Sequence, residues 1–169
     1  MTEAVCDAGP LIHLHEIGIL EALAVFTTIH VPGAVWQEAI ERHGVPGGRL
    51  LEVATIERHE IGDASAHFAE RERLEHLQRG DVECLHLCAT TGKSLLLTDD
   101  LAVRKVASTR GIVPVGSLGV IIRAYREGMI GRPEAEAHLE ALYSQSSLFV
   151  TRTIVDLAIR RLRERTQLR

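Results

Sequence analysis

The chain has 169 residues, of which 46% are hydrophobic, 25% charged and 4% aromatic, and its formal net charge is −4. That length and apolar content describe one folded domain that needs no disulfide or metal staple, and they exclude a disordered segment. No apolar run reaches the roughly 18 residues of a membrane span, so no membrane partner is expected.

The opening MTEAVCDAGPLI has no basic region ahead of its apolar stretch, so a signal peptide is not expected. Ala4–Asp7 is a short apolar run ending in an acid. Gly9 and Pro10 then lead into a segment with Leu11, Leu14, Ile17, Leu20 and Leu23 at helical spacing. FTTIHVP is rich in β-branched residues and ends at Pro32, which predicts a strand. Gly33–Arg42 carries Val35, Ala39 and Ile40 on one helical face and is broken by Gly44–Gly48, after which LEVATI alternates weakly as a strand. Ala64–Gln78 reads as a polar helix stopped by Gly80, and Asp81–Thr91 as an apolar helix ended by Gly92. SLLLT, Ser94–Thr98, has the continuous apolar character of a central parallel strand. Asp100–Thr109 is predicted helical, Gly111–Val115 a strand and Gly116–Glu127 a helix, with Ser117 as its cap. Pro133 suits a first helical turn, that helix runs to about Tyr143, and a last amphipathic helix covers Thr153–Arg165. Strands alternating with helices predict an α/β domain with a parallel sheet over residues 1–169, with a C-terminal helical extension from about 133.

The charge is unevenly spread. Residues 1–100 carry a net −10 and residues 101–169 a net +6, the densest basic run being Arg160, Arg161, Arg163, Arg165 and Arg169. The total of −4 therefore does not exclude a polyanionic partner.

In an open parallel sheet, ligands bind at the carboxyl ends of the strands. Asp7 ends the first strand, Asp99 and Asp100 end the SLLLT strand, Asp81 and Glu83 open the helix before that strand, and Glu38 lies in the helix after the second strand. Carboxylates that close raise one another's pKa unless a cation sits between them, and an all-oxygen donor set suits Mg²⁺ or Mn²⁺. Such an ion can orient a phosphate and acidify a water, so the residues point to a metal-dependent phosphodiester or phosphate-ester hydrolase. Each acid also has a structural reading. Asp81, Asp99 and Asp100 would cap helices, Glu83 would favour a helix dipole and Glu38 would sit at the surface. Competing classes are a phosphohydrolase or phosphoacceptor with Asp7 as nucleophile, and a non-catalytic partner-binding module.

The segments VCDAGPLIHLHEIGIL, VPGAVWQEAI, GDVECLHLCATTGKSLLLTDDLAVRKVA and GSLGVIIRAYREGMI together resemble a PIN domain, and more narrowly the DUF3368 group of PIN-like proteins. The resemblance runs from about residue 3 to 160 and is weakest across 44–75. It implies a three-layer α/β/α sandwich, a Mg²⁺- or Mn²⁺-dependent ribonuclease and, in many members, the toxin of a toxin–antitoxin pair. RNA would then be the substrate, with an antitoxin protein and a second copy of the chain as partners. The family's acids match Asp7, Glu38, Asp81 and Asp100, and these are the catalytic residues it implies. The resemblance implies that Asp7, Asp81 and Asp100 hold the metal ion, with help from Glu38, from Glu83 by the Glu-x-Glu pair of the related flap endonucleases, or from Asp99, which shares the role of Asp100. Thr98 matches a strand-end hydroxyl suited to phosphate or a metal-bound water. Arg104 and Lys105, one helical turn after the last acid, are candidates to hold substrate phosphates.

Other motifs carry less. Gly92-Lys93-Ser94 lacks the upstream glycine of a phosphate-binding loop, where Leu87 stands instead. Cys84 and Cys88 read as buried thiols with His86 turned elsewhere, and His13, His15 and Trp36 as packing or surface residues. The odd count of three cysteines points to reduced thiols in a cytoplasm.

Overall fold

A computed structural model describes residues 2–166. Five short strands, β1 (Glu3–Cys6), β2 (Thr28–Pro32), β3 (Ile56–His59), β4 (Leu95–Leu97) and β5 (Val113–Val115), form one sheet in the order β3-β2-β1-β4-β5. All four pairings are parallel. The middle of the sheet is made of residues that water never reaches, among them Ala4, Val5, Ile29, Val31, Leu96 and Leu97. That explains why these strands read as apolar runs rather than alternating ones.

The chain runs outward from β1 through β2 to β3, then returns to the other side of β1 for β4 and β5. Crossovers between parallel strands are right-handed as a rule, which sends the helices of the two halves to opposite faces and completes an α/β/α sandwich. One layer holds α1 (Ala8–Glu16), a 3₁₀ segment (Leu20–Val25) and α7 (Ser117–Arg126); the other holds α4 (Ala64–Glu72) and α5 (Arg79–Thr91). Helix α6 (Leu101–Thr109) packs on β5, and α8 (Arg132–Ser144) and α9 (Arg152–Thr166) build outward from α7. Arg169, the end of the basic run, lies outside the described residues. No helix among the described residues is long and apolar enough to cross a membrane.

Four local expectations need correction. The helix predicted from Leu11 through Leu23 is two pieces, because Gly18 turns the chain at φ +71° between α1 and the 3₁₀ segment. Gly33–Arg42 starts as α2 (Gly33–Trp36) and widens into a π-helical turn over Gln37–Arg42, a feature frequent at functional sites. LEVATI is not one strand: α3 (Gly47–Val53) takes its first half and β3 begins only at Ile56. Ala64–Gln78 breaks where Arg73 adopts a left-handed conformation at φ 58°, and α5 starts at Arg79, so Gly80 lies inside its first turn.

Candidate active site

The strand order reverses between β1 and β4, and this switch point is where an open parallel sheet leaves a crevice. Asp7 follows β1 and Thr98-Asp99-Asp100 follow β4, so the topology sets both acid-bearing turns side by side. Hydrogen bonds continue the ladder past the strands, Asp7 N–H to Leu97 O at 2.9 Å and Thr98 N–H to Val115 O at 2.9 Å. An open cleft of about 500 Å³ lies over the crevice, lined by Asp7, Glu38, Asp81, Asp99 and Asp100 among others.

Three of these acids sit at helix starts, where backbone N–H groups aim one carboxylate oxygen. Asp7 caps α1, its Oδ1 accepting from Ala8 N–H at 2.7 Å. Asp100 caps α6, its Oδ1 accepting from Val103 N–H at 2.9 Å. Asp81 stands in the first turn of α5, with Gln78 as the cap, and its Oδ2 accepts from Gln78 N–H at 3.0 Å. The structural and functional readings of these acids therefore coincide, since each helix end orients a carboxylate that still faces the cleft. Glu38 comes from the π-helical turn after β2.

Their electrostatics show strain. Burial first, then the charge of Asp81, raises the Asp7 pKa to about 7, although bonds from Ala8 N–H and the Thr98 hydroxyl pull it down. Burial also raises Asp81 to about 6, aided by the charges of Asp100 and Glu38 and opposed by the Gln78 N–H. Acids crowded in this way are relieved by a cation, and the donors are all oxygens, which fits Mg²⁺ or Mn²⁺.

The chain matches the DUF3368 family model, a PIN domain, over residues 3–164. It is a PIN-domain protein. No curated protein gives a significant match. PIN domains are nuclease-type folds that typically use divalent metals, and the cleft at the switch point has the donor chemistry for one.

The remaining expected site residues of this PIN domain fall in different places. Thr98 is fully buried, and its hydroxyl donates to Asp7 Oδ2 at 3.0 Å and accepts from Asp100 N–H at 3.3 Å. Asp99 lines the cleft, but Ser117 N–H bonds its Oδ1 at 2.7 Å, and the Ser117 hydroxyl and His13 Nδ1 reach its Oδ2 at 2.5 and 2.8 Å. It thereby anchors the start of α7, where Gly116, not Ser117, is the cap residue.

Glu83 does not line the cleft. Its buried carboxylate accepts from Ala34 N–H at 3.0 Å and from Arg79 Nε at 2.8 Å, clipping α5 to the start of α2. Arg104 donates to the Thr98 carbonyl at 3.1 Å and faces a neighbouring groove, whereas Lys105 is exposed and lines neither that groove nor the cleft.

His13, which reads from the sequence as a packing or surface residue, lines the cleft, as do Gln78 and the loop 147–149, which the sequence does not single out. Only His13 had a local signal, its position one turn into the helix that follows Asp7. Cys6, Cys84 and Cys88 are buried free thiols, all pushed up in pKa by burial; for Cys84 and Cys88 the spacing on one helical face predicts that burial.

Proposed function

We propose that this PIN domain is a divalent-metal-dependent ribonuclease that hydrolyses phosphodiester bonds in RNA. The observation that carries this reading is the gathering of Asp7, Glu38, Asp81 and Asp100 in one cleft at the switch point, with Asp7 and Asp81 raised to about 7 and 6. A bare acid cluster repels a phosphate, so the arrangement calls for Mg²⁺ or Mn²⁺. Asp7, Asp81 and Asp100 would hold the ion, with Glu38 as a further carboxylate. When bound, the ion neutralises phosphate charge and lowers the pKa of a water.

The chain's own groups do the positioning. Ala8 N–H and the Thr98 hydroxyl fix the Asp7 carboxylate, Val103 N–H fixes Asp100 and Gln78 N–H fixes Asp81. Each bonded oxygen keeps a second lone pair for a cation. Asp99 holds α7 and His13 against the cleft and so acts as a positioning residue. Arg104 spends one N–H on the Thr98 carbonyl, and its other donors would meet substrate phosphates in the adjoining groove.

A toxin role with an antitoxin partner is favoured by one feature. Phe149, 93% exposed, and Leu101, 79% exposed, border both the acidic cleft and the apolar groove beside it. A protein partner covering them would also close the mouth of the cleft. The buried thiols suit a reducing cytoplasm.

The test is cleavage of defined RNA oligonucleotides with EDTA, Mg²⁺ or Mn²⁺ by the protein and its Asp7→Asn variant. Metal-dependent cleavage that the variant lacks supports the reading. Cleavage that survives EDTA or the substitution would overturn it. If neither RNA cleavage nor Mn²⁺ binding at the acids is found, the domain is a partner-binding module, and phosphate release from small esters instead identifies a phosphohydrolase.

A further inference from the structure

Strand β3 forms one edge of the sheet, and with its neighbour β2 it gathers donors that the acidic cleft does not use. His30 of β2 lies in register with Glu57 of β3, and Pro32 with His59, so the period of two puts His30, Glu57 and His59 on one face. His30 Nδ1 is 2.9 Å from His59 Nε2 and 3.7 Å from a Glu57 oxygen, and His59 Nε2 is 3.6 Å from the other Glu57 oxygen. Among the described residues, this group alone brings three histidine, cysteine or carboxylate donors within 4.8 Å of one another.

We propose that His30 Nδ1, His59 Nε2 and a Glu57 carboxylate oxygen form a Zn²⁺ site, separate from the acidic cleft, that ties the edge strand β3 to β2. Zn²⁺ bonds of about 2.0–2.1 Å in a tetrahedron set ligand atoms about 3.3–3.4 Å apart; the two imidazole nitrogens and the nearest Glu57 oxygen to each lie on either side of that value, and one Glu57 oxygen lies within 4.8 Å of both nitrogens. Two imidazoles and one carboxylate suit Zn²⁺, whereas Mg²⁺ takes oxygen ligands.

The surroundings prepare His30 as a ligand. Its Nε2 lies 3.1 Å from a Glu3 carboxylate oxygen, which Lys93 also holds. Glu3 thus accepts a hydrogen bond from His30 Nε2–H and leaves the Nδ1 lone pair aimed at the other donors, the carboxylate–histidine arrangement that supports metal-bound imidazoles. The short His30–His59 contact requires a proton on one of its two nitrogens. With His30 Nδ1 unprotonated, that proton sits on His59 Nε2, and its transfer to the far Nδ1 of His59 frees both lone pairs without changing the net charge. Side-chain exposure rises from 7% at His30 through 22% at His59 to 59% at Glu57, so an ion can enter from the sheet edge and keep a water as fourth ligand.

The experiment titrates the metal-free chain with Zn²⁺ by calorimetry and with Co²⁺ by visible absorption, counting ions per chain. The same is done for Asp7→Asn/Asp81→Asn, His59→Ala, Glu57→Gln and Glu3→Gln. The expected result is one Zn²⁺ in the cleft double variant, and a Co²⁺ spectrum of tetrahedral intensity in both that variant and the protein, whose acidic cleft can take a further ion. Binding should be abolished in His59→Ala, weakened at least tenfold in Glu57→Gln, and weakened roughly 10–100-fold in Glu3→Gln, where only the second shell changes. Glu57 is exposed, so Glu57→Gln carries the test if His59→Ala does not fold. Zn²⁺ affinity unchanged by Glu57→Gln, lost in the cleft double variant, or absent from the protein would overturn the proposal.

Discussion

The Thr98 hydroxyl donates to Asp7 Oδ2 at 3.0 Å and so joins the turn after β4 to the turn after β1 across the switch point. That bond is one of the two interactions lowering the pKa of Asp7 against its burial. Thr98→Val keeps the β-branched shape and deletes the donor, leaving Asp7 with less support for its charged form. The variant is expected to lose about 1–3 kcal/mol of stability, since Asp100 N–H also loses its acceptor. Its metal-dependent activity should fall more at pH 6.5 than at pH 8.5. A pH–rate profile that keeps its shape would show that Thr98 does not tune Asp7.

The cleft makes stability depend on pH in a defined direction. Asp7 is raised from 3.8 to about 7 and Asp81 from 3.8 to about 6. Between about pH 4 and 7 the native state therefore holds more protons than the unfolded chain, so metal-free stability falls as pH rises through that window. Asp7→Asn removes the larger of the two penalties. At pH 8 in EDTA its melting temperature should exceed that of the unmodified protein by several degrees, each kcal/mol being worth about 2–4 °C at this size. At pH 4 the advantage should vanish. A variant no more stable than the parent at pH 8 would show that the Asp7 charge is not under strain.

Metal binding should show the opposite slope. The ion needs both carboxylates deprotonated, so its binding releases protons wherever Asp7 and Asp81 are still protonated. Mn²⁺ affinity measured by calorimetry should rise from pH 5.5 to 8 and level off above about pH 7, as Asp7 finishes titrating. Affinity independent of pH would place the ion away from these two acids.

Glu83 separates a structural from a ligating carboxylate. Glu83→Ala strips Ala34 N–H of its acceptor in a buried place and should cost about 1–3 kcal/mol. Glu83→Gln retains an acceptor for Ala34 N–H and should leave Mn²⁺ affinity within about threefold, whereas Asp81→Asn should reduce it at least tenfold. Equal losses from the two conservative substitutions would make Glu83 a ligand.

Gly116 is held by close approach. A Cβ placed there would stand 2.8 Å from Asp99 Oδ1 and 3.2 Å from an Arg104 guanidinium nitrogen. Gly116→Ala should push Asp99 off Ser117 and destabilise the protein by about 1–3 kcal/mol, with His13 loosened at the cleft wall. Unchanged unfolding by urea would show that the α7 start can shift without cost.

Much of the fold was legible because its signals are local. Apolar runs marked β1, β2 and β4, Pro133 marked the start of α8, and acids directly after strands marked the cleft. The errors lie where local signals compete. Arg73, in a left-handed conformation, ends a helix that no glycine or proline announces, and α3 takes over residues whose weak alternation looked like a strand.

The sequence by itself determined that Asp7 and Asp100 stand at strand ends and helix starts, since both positions follow from residues within one turn. Only the tertiary structure decided the partners of Asp99 and Glu83. Asp99 is taken by Ser117, 18 residues on, and Glu83 by Ala34, 49 residues back, so neither resembles its freer neighbour in the cleft. His30, Glu57 and His59 meet because parallel pairing sets His30 beside Glu57 across two strands. A hydrogen bond or a shared ion depends on distance in space, and the order and register of strands, which the chain acquires only by packing its apolar faces together, set that distance.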